Sequence, residues 1–196
     1  MRDSNKVYIR FWEMRIIAGC FKGLRLPSPR NRDLRPTTDR VREAIFSALG
    51  DSVVEARVLD FFAGTGALGF EALSRGAAFA VFVERDRKVA ELISSTAQAL
   101  GAKDKVSILA MAALEAVPQL IRRGDTFGIV FLDPPYGTEC LEGVLFNRAF
   151  PDLIEPEGIL IVERSLREPQ LEVPGELRKV STKRYGDTVV EMFHKT

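Results

Sequence analysis

The chain has 196 residues, 46% hydrophobic and 28% charged, with a formal charge of +1; this describes one globular unit with room for a small appendage and excludes a low-complexity chain. No run nears the ~20 apolar residues that cross a bilayer, and the start Met1-Arg2-Asp3-Ser4 lacks a signal sequence's apolar core, so no membrane partner and a cytoplasmic location are expected. Cys20 and Cys140 lie far apart and His194 is the sole histidine, which argues against a zinc set and a histidine-driven nucleophile.

In chain order, residues 1–13 read as an extension with no assigned function. Arg15-Ile16-Ile17-Ala18-Gly19 and Leu24-Arg25-Leu26 flank Lys22-Gly23 and predict a small hairpin that ends at Pro27 and Pro29. A basic loop to Pro36 follows. Thr37, Thr38 and Asp39 are N-cap candidates for an amphipathic helix whose Val41, Ala44, Ile45, Ala48 and Leu49 recur at helical spacing until Gly50. Residues 14–42 carry eight basic groups against Asp33 and Asp39; with 1–13 at net +1, the remaining 43–196 must be net −6. A basic front on an acidic body suits a phosphate-backbone binder with a separate catalytic part, or a solvated arm.

From residue 56 the pattern alternates. Strands are predicted at 57–62, 79–84, 106–110, 127–132 and 158–163, with helices near 66–75, 86–100, 112–123 and 138–149. Runs 177–184 and 187–194, joined at Tyr185-Gly186-Asp187, predict an antiparallel hairpin. The expected fold class is α/β: a doubly wound, mostly parallel, seven-stranded Rossmann-like sheet with a C-terminal antiparallel hairpin and a small N-terminal β-hairpin plus helix. Its ligand crevice belongs at the carboxyl ends of the strands.

The chemistry-bearing residues fall at those ends. Gly64 and Gly66 join the first long strand to its helix and let backbone approach a ligand, with Asp60 before the turn and Glu84 ending the next strand, where an acid can hold ribose hydroxyls. The loop has no third glycine at dinucleotide spacing and no Gly-Lys-Ser/Thr, which disfavours a nicotinamide cofactor and a P-loop triphosphate. A purely structural alternative has Glu84 opening the next helix beside Arg85 or Arg87. Asp133-Pro134-Pro135-Tyr136 ends the run Phe127–Leu132: two prolines stop both strand and pairing, and leave a rigid corner with a carboxylate, carbonyls and an aromatic ring. That corner suits a flat molecule with an exocyclic amine, whose protons need acceptors and whose face can stack. The string is also an ordinary loop composition.

Asp60 to Gly69, Glu84, and Asp133 to Tyr136 together resemble motifs of the S-adenosylmethionine-dependent methyltransferases that act on planar amino nitrogens. With Met14 to Gly19, Lys22-Gly23 and Arg35 to Phe46 added, the chain resembles the RsmD family of bacterial 16S ribosomal RNA guanine-N(2) methyltransferases, from Met14 to the Tyr185-Gly186-Asp187-Thr188 turn. The resemblance implies S-adenosylmethionine as cofactor, held by Asp60, Ala63, Gly64, Thr65, Gly66, Glu84, Arg85, Met111, Ala112, Ala113 and Asp133. It implies Asp133, Pro134, Pro135 and Tyr136 as catalytic residues, and Lys22, Arg25, Arg30, Arg32, Arg35 and Arg40 as RNA contacts, with the target guanine swung out of its loop. Residues 14–50 would then be an RNA-contacting N-terminal part and 51–196 the methyltransferase domain. The implied partner is 16S ribosomal RNA in a small-subunit assembly particle, with no metal and no obligate protein partner. One departure stands out: the family usually has an aspartate, for the adenine amine, where this chain has Ala112. Other readings of the same residues are a same-fold methyltransferase acting on DNA adenine or protein glutamine, and a catalytically silent RNA-binding assembly factor.

Overall fold

Six consecutive apolar positions at Phe127–Leu132, with only Gly128 lacking a side chain, suit a strand covered on both faces. The computed structural model describes residues 14–27, 38–134 and 138–196. In it β1 (Met14–Arg15) pairs antiparallel with β2 (Arg25–Leu26), and α1 spans Asp39–Leu49. There follow β3 (Arg57–Asp60), α2 (Ala67–Ser74), β4 (Phe79–Val83), α3 (Arg87–Ala99), β5 (Val106–Leu109), α4 (Ala113–Arg123), β6 (Phe127–Leu132), α5 (Thr138–Leu145), β7 (Ile154–Ser165), β8 (Leu177–Tyr185) and β9 (Thr188–Lys195). The seven-stranded sheet runs β5-β4-β3-β6-β7-β9-β8, parallel through β7, with β9 antiparallel to both neighbours. The chain enters at β3, builds outward through β4 and β5, then returns to the other side of β3 with β6. That reversal opens a crevice at the carboxyl end of β3.

The helix starts have chemical causes. Thr38 Oγ1 accepts the Val41 N–H at 3.3 Å to cap α1, and Asp86 Oδ1 accepts the Lys88 N–H at 2.8 Å to cap α3. Beyond the hairpin, two boundaries differ from the sequence reading by four residues. Strand β7 begins at Ile154 rather than 158, because Ile154 pairs with Phe127 before the register shifts and Ile159 pairs with Ile129. Glu157 turns that bulge with φ +60. Helix α5 stops at Leu145, and Asn147 Oδ1 takes the Ala149 N–H at 3.0 Å to turn the chain toward Pro151.

Two apolar layers sandwich the sheet. On one face the hairpin residues Met14, Ile16 and Leu26 share a cluster with Val41, Ile45 and Phe46 of α1, Phe70 of α2, Ile93 of α3, and Ile129 and Phe131 of β6. On the other, α4 and α5 cover Val130, Leu132, Leu160 and Phe193. The Phe46 and Phe131 rings lie 5.8 Å apart, a pairing worth about 1 kcal/mol beyond burial.

The N-terminal hairpin is tied to α2 along its length. Glu71, fully buried in α2, accepts the Ile17 N–H at 2.7 Å and the Ala18 N–H at 3.0 Å, and pairs with Arg75 at 2.7 Å. Its Oε2 also lies 3.8 Å from Nε of the fully buried Arg42, which donates to the Arg15 carbonyl at 2.6 Å and to Asp39 at 2.9 Å. At the C-terminal end of α2, Ser74 takes the Phe21 N–H on its hydroxyl and the Cys20 N–H on its carbonyl. Gly19 is dictated by this contact: its φ is +81, and a Cβ there would meet the Ser74 carbonyl oxygen at 1.8 Å.

Candidate active site

Three carboxylates come together at the carboxyl edge, one from each of three adjacent strands. Asp60 ends β3, Glu84 follows β4 and Asp133 follows β6, and β3 lies between the other two. Each has a different setting. Asp60 is fully buried and accepts the Gly69 N–H at 3.1 Å, so it braces the turn into α2 from beneath. Burial, with added repulsion from Asp133 and Glu84, pushes its pKa up to about 7. Glu84 is half-buried; its Oε2 accepts the Gly64 N–H at 2.9 Å and its Oε1 the Asp86 N–H at 2.8 Å. A carboxylate has about four lone-pair sites, so two remain for a ligand hydroxyl pair. Asp133 and Pro134 are half-buried at the rim.

The glycine loop supplies the floor. Gly64 has φ +51, and a Cβ built on it meets nothing nearer than the Phe62 carbonyl at 4.0 Å, so its surface is open to an approaching molecule. Gly66, φ +77, is excluded from bearing a side chain for the opposite reason: its Cβ would strike Phe70 at 2.8 Å and Phe82 at 3.1 Å. Ala63 and Thr65 are buried, and Thr65 Oγ1 lies 3.5 Å from the Met14 sulfur, which brings the hairpin against this loop. Arg85 is exposed, one residue beyond Glu84. Met111 and Ala112 are half-buried after β5, and Ala112 is the N-cap of α4 with no side-chain cap bond. Ala113 is buried in the first turn of α4. Lys22, Arg25 and Arg40 are exposed, on the hairpin and at the start of α1. Pro135, Tyr136, Arg30, Arg32 and Arg35 lie outside the described residues, as does the predicted cap Thr37. Among the described residues no cluster of three His, Cys, Asp or Glu could hold a metal, and no helix is long and apolar enough to cross a membrane.

A family model described as "Conserved hypothetical protein 95" matches residues 14–194. The chain belongs to the RsmD family. Among curated RsmD relatives, Ribosomal RNA small subunit methyltransferase D of Escherichia coli strain K12 is 34% identical over 183 residues, covering 93% of this chain and 90% of that protein. The Haemophilus influenzae protein of the same name is 35% identical over 158 residues, covering 80% of this chain and 81% of its own length. The solved structure titled "Putative methyltransferase yhhF from Escherichia coli" superposes with a TM-score of 0.82 at 34% identity, covering 93% of this chain and 98% of that one.

Sequence reasoning missed the residues that connect the RsmD hairpin to the crevice: Glu71, Arg42 and Ser74. A glutamate between Phe70 and Ala72 resembles any helix surface position, and its partners are backbone N–H groups 53 and 54 residues away, which leave no pattern in a sequence. The buriedness of Asp60 also yields a prediction. Its pKa is raised on folding, so the stability this group contributes is complete below ~4, falls as pH rises toward 7 and stays lost above that. Asp60→Asn keeps an acceptor for Gly69 without the charge. The variant should therefore gain stability relative to the parent between pH 4 and 7 and hold that advantage at pH 8. Urea midpoints at pH 5 and 8 test this, and an advantage that shrinks with pH would refute it.

Proposed function

We propose that this chain transfers a methyl group from S-adenosylmethionine to the exocyclic 2-amino group of a guanine in small-subunit ribosomal RNA. The observation that carries the reading is the meeting of Glu84, the open Gly64 backbone and Asp133 along one strand edge, in a chain whose relatives are named for ribosomal RNA methylation. The residues present fit the cofactor: Gly64 leaves space for close backbone approach, and Glu84 keeps acceptor capacity for two ribose hydroxyls while it holds the loop in shape. When bound, the cofactor supplies a methyl group already activated by the positive sulfonium.

The chain's own residues must then manage the acceptor. An aromatic amine delocalises its lone pair into the ring, so it attacks only when its nitrogen is drawn toward pyramidal geometry. Asp133 and the Pro134 carbonyl accept the two amine hydrogens and favour that geometry, and Tyr136 stacks on the base. Its buried neighbour Asp60 is the carboxyl that burial drives toward the neutral form. Two acids of one cluster thus serve as acceptor and brace. Lys22, Arg25 and Arg40, with Arg30, Arg32 and Arg35, bind the RNA backbone in this reading.

Labelled S-adenosylmethionine offered with free 16S RNA, small-subunit particles or DNA tests the proposal. Label recovered as N2-methylguanine from the particle or RNA is the expected result; label in DNA adenine, at another guanine atom, or nowhere rejects it.

Ala112 predicts a reserve of affinity. At the uncapped start of α4 an aspartate would accept an N–H of the first turn, worth about 1 kcal/mol, and offer an acceptor to the adenine amine. Ala112→Asp should raise the melting temperature and tighten S-adenosylmethionine binding, whereas Ala112→Ser should do only the first. Calorimetry showing equal affinities for all three forms would remove Ala112 from the adenine site.

A further inference from the structure

Strand β8 is the outer edge of the sheet, and in nine residues, Leu177–Tyr185, it carries Arg178, Lys179, Lys183 and Arg184 with no acidic residue. The surrounding charge makes this unusual: residues 43–176 hold 12 basic and 21 acidic groups, whereas 177–196 hold 5 basic against Asp187 and Glu191. Lys179 has an internal task. It bonds the buried Glu191 at 2.6 Å beside Arg164, which reaches the same carboxylate at 2.8 Å. The other three are exposed, and none makes an ion pair among the described residues; only Arg184 makes a side-chain bond, to the Gly186 carbonyl at 3.1 Å. Charged side chains on an edge strand also discourage strand pairing, which makes edge protection the competing account of these cations.

Placement says what the rest face. Strand β8 runs in the same direction as β7, so its Tyr185 end lies at the carboxyl edge, where Asp60, Glu84 and Asp133 collect. Leu132 pairs with Val162; the next row crosses Glu163, Val190 and Lys183. Lys183 thus lies on the row of Asp133, three strand spacings or about 14 Å away. From there to Arg178 the cations extend roughly 17 Å along the edge. Tyr185 packs on the apolar layer shared with Met14, Leu26 and α1, so Lys183, two residues before it, is on the side of the sheet that carries the basic N-terminal hairpin.

Arg178 and Lys183 pair with His194 and Val190 and so share that side of the sheet, whereas Arg184, one residue beyond Lys183, is on the opposite one. We infer that Arg178 and Lys183 form a second phosphate-binding track, which holds the RNA strand flanking the target nucleotide on the side of the crevice away from β5. The inference rests on the RNA-methylating reading above and adds a surface that reading did not use. Spaced cations leading to a catalytic edge match a polyphosphate chain, and exposed guanidinium and ammonium groups bind it without sequence preference.

The test compares the parent with R178Q/K183Q and with K103Q/K105Q, which removes the same charge from exposed positions just before β5, at the opposite edge of the sheet. Binding and methylation of small-subunit particles or 16S RNA are measured across salt, with S-adenosylmethionine affinity as a fold control. The β8 variant should show a KM for RNA roughly ten-fold higher, a salt slope shallower by about one unit per lost contact, and unchanged cofactor affinity and kcat. The control pair should match the parent. Equal weakening by both double variants reduces the effect to net charge and overturns the track. Unchanged RNA affinity with new self-association in the β8 variant overturns it in favour of edge protection. If the parent itself neither binds nor methylates RNA, the functional reading falls, and the track with it.

Discussion

Asp133→Ala is expected to lower turnover by about 10³-fold or more while S-adenosylmethionine affinity stays within a few-fold of the parent. The residue follows Leu132 at the end of a strand buried at every position but Gly128, so truncating it removes an acceptor at the rim and leaves the sheet and the glycine loop in place. The loop is held by other groups: Gly64 by Glu84 and Gly69 by Asp60. Asp133→Asn should be nearly as damaging, because half of its amide presents N–H groups to an amine that needs acceptors. Kinetics with the small-subunit particle and calorimetry with the cofactor separate the effects. A large loss of cofactor binding with turnover preserved at saturation would move Asp133 from the acceptor site to the cofactor site. Removing its charge also withdraws one of the causes that raise Asp60, so the Asp60 pKa should fall from about 7, though burial keeps it above the ordinary carboxylate range.

Glu71→Ala is expected to be the most destabilising single change, by about 3–5 kcal/mol. It strips the acceptor from two backbone N–H groups and leaves the Arg42 guanidinium, already without hydrogen-bond partners at Nε and Nη1, facing an apolar layer. Burial already lowers the Arg42 pKa, against the opposing pull of Asp39 and Glu71, so losing one of those carboxylates worsens an existing strain. Urea unfolding measures the loss, and limited proteolysis near Gly23 reports whether the hairpin detaches first. The double variant E71A/R42M should recover part of the stability, since the uncompensated charge goes with its partner. A loss below about 1 kcal/mol in the single variant would show that the hairpin is held by its apolar contacts alone.

What could be read from the residues follows from how far each cause acts along the chain. The strands at Phe79–Val83 and Phe127–Leu132 were legible because burial on both faces forces consecutive apolar residues. The capped start of α1 was legible because a cap acts within three residues. Asp60, Glu84 and Asp133 could be placed at one edge from topology alone, since each ends a parallel strand. What topology could not supply was their different work: that Asp60 is sealed beneath the turn depends on Gly69 donating to it and on the layers above and below. The β7 start was missed because Pro156-Glu157-Gly158 resembles a turn, and only the pairing of Ile154 with Phe127 shows that the strand bridges a bulge.

The glycine loop and helix α2 that follows it bear the three attachments of the hairpin: Met14 at Thr65 in the loop, and Ile17 and Ala18 at Glu71 and Cys20 and Phe21 at Ser74 in the helix. Glu71 and Ser74 are 3 residues apart, close to one turn of the helix, so they form one stripe, and Thr65 extends the attachment into the loop before it. A chimera that imports residues 14–27 from a relative must therefore import positions 65, 71 and 74 as well. Grafted alone, the hairpin would arrive without its sockets, and a single inserted residue in α2 would swing the stripe by about 100° and unseat it.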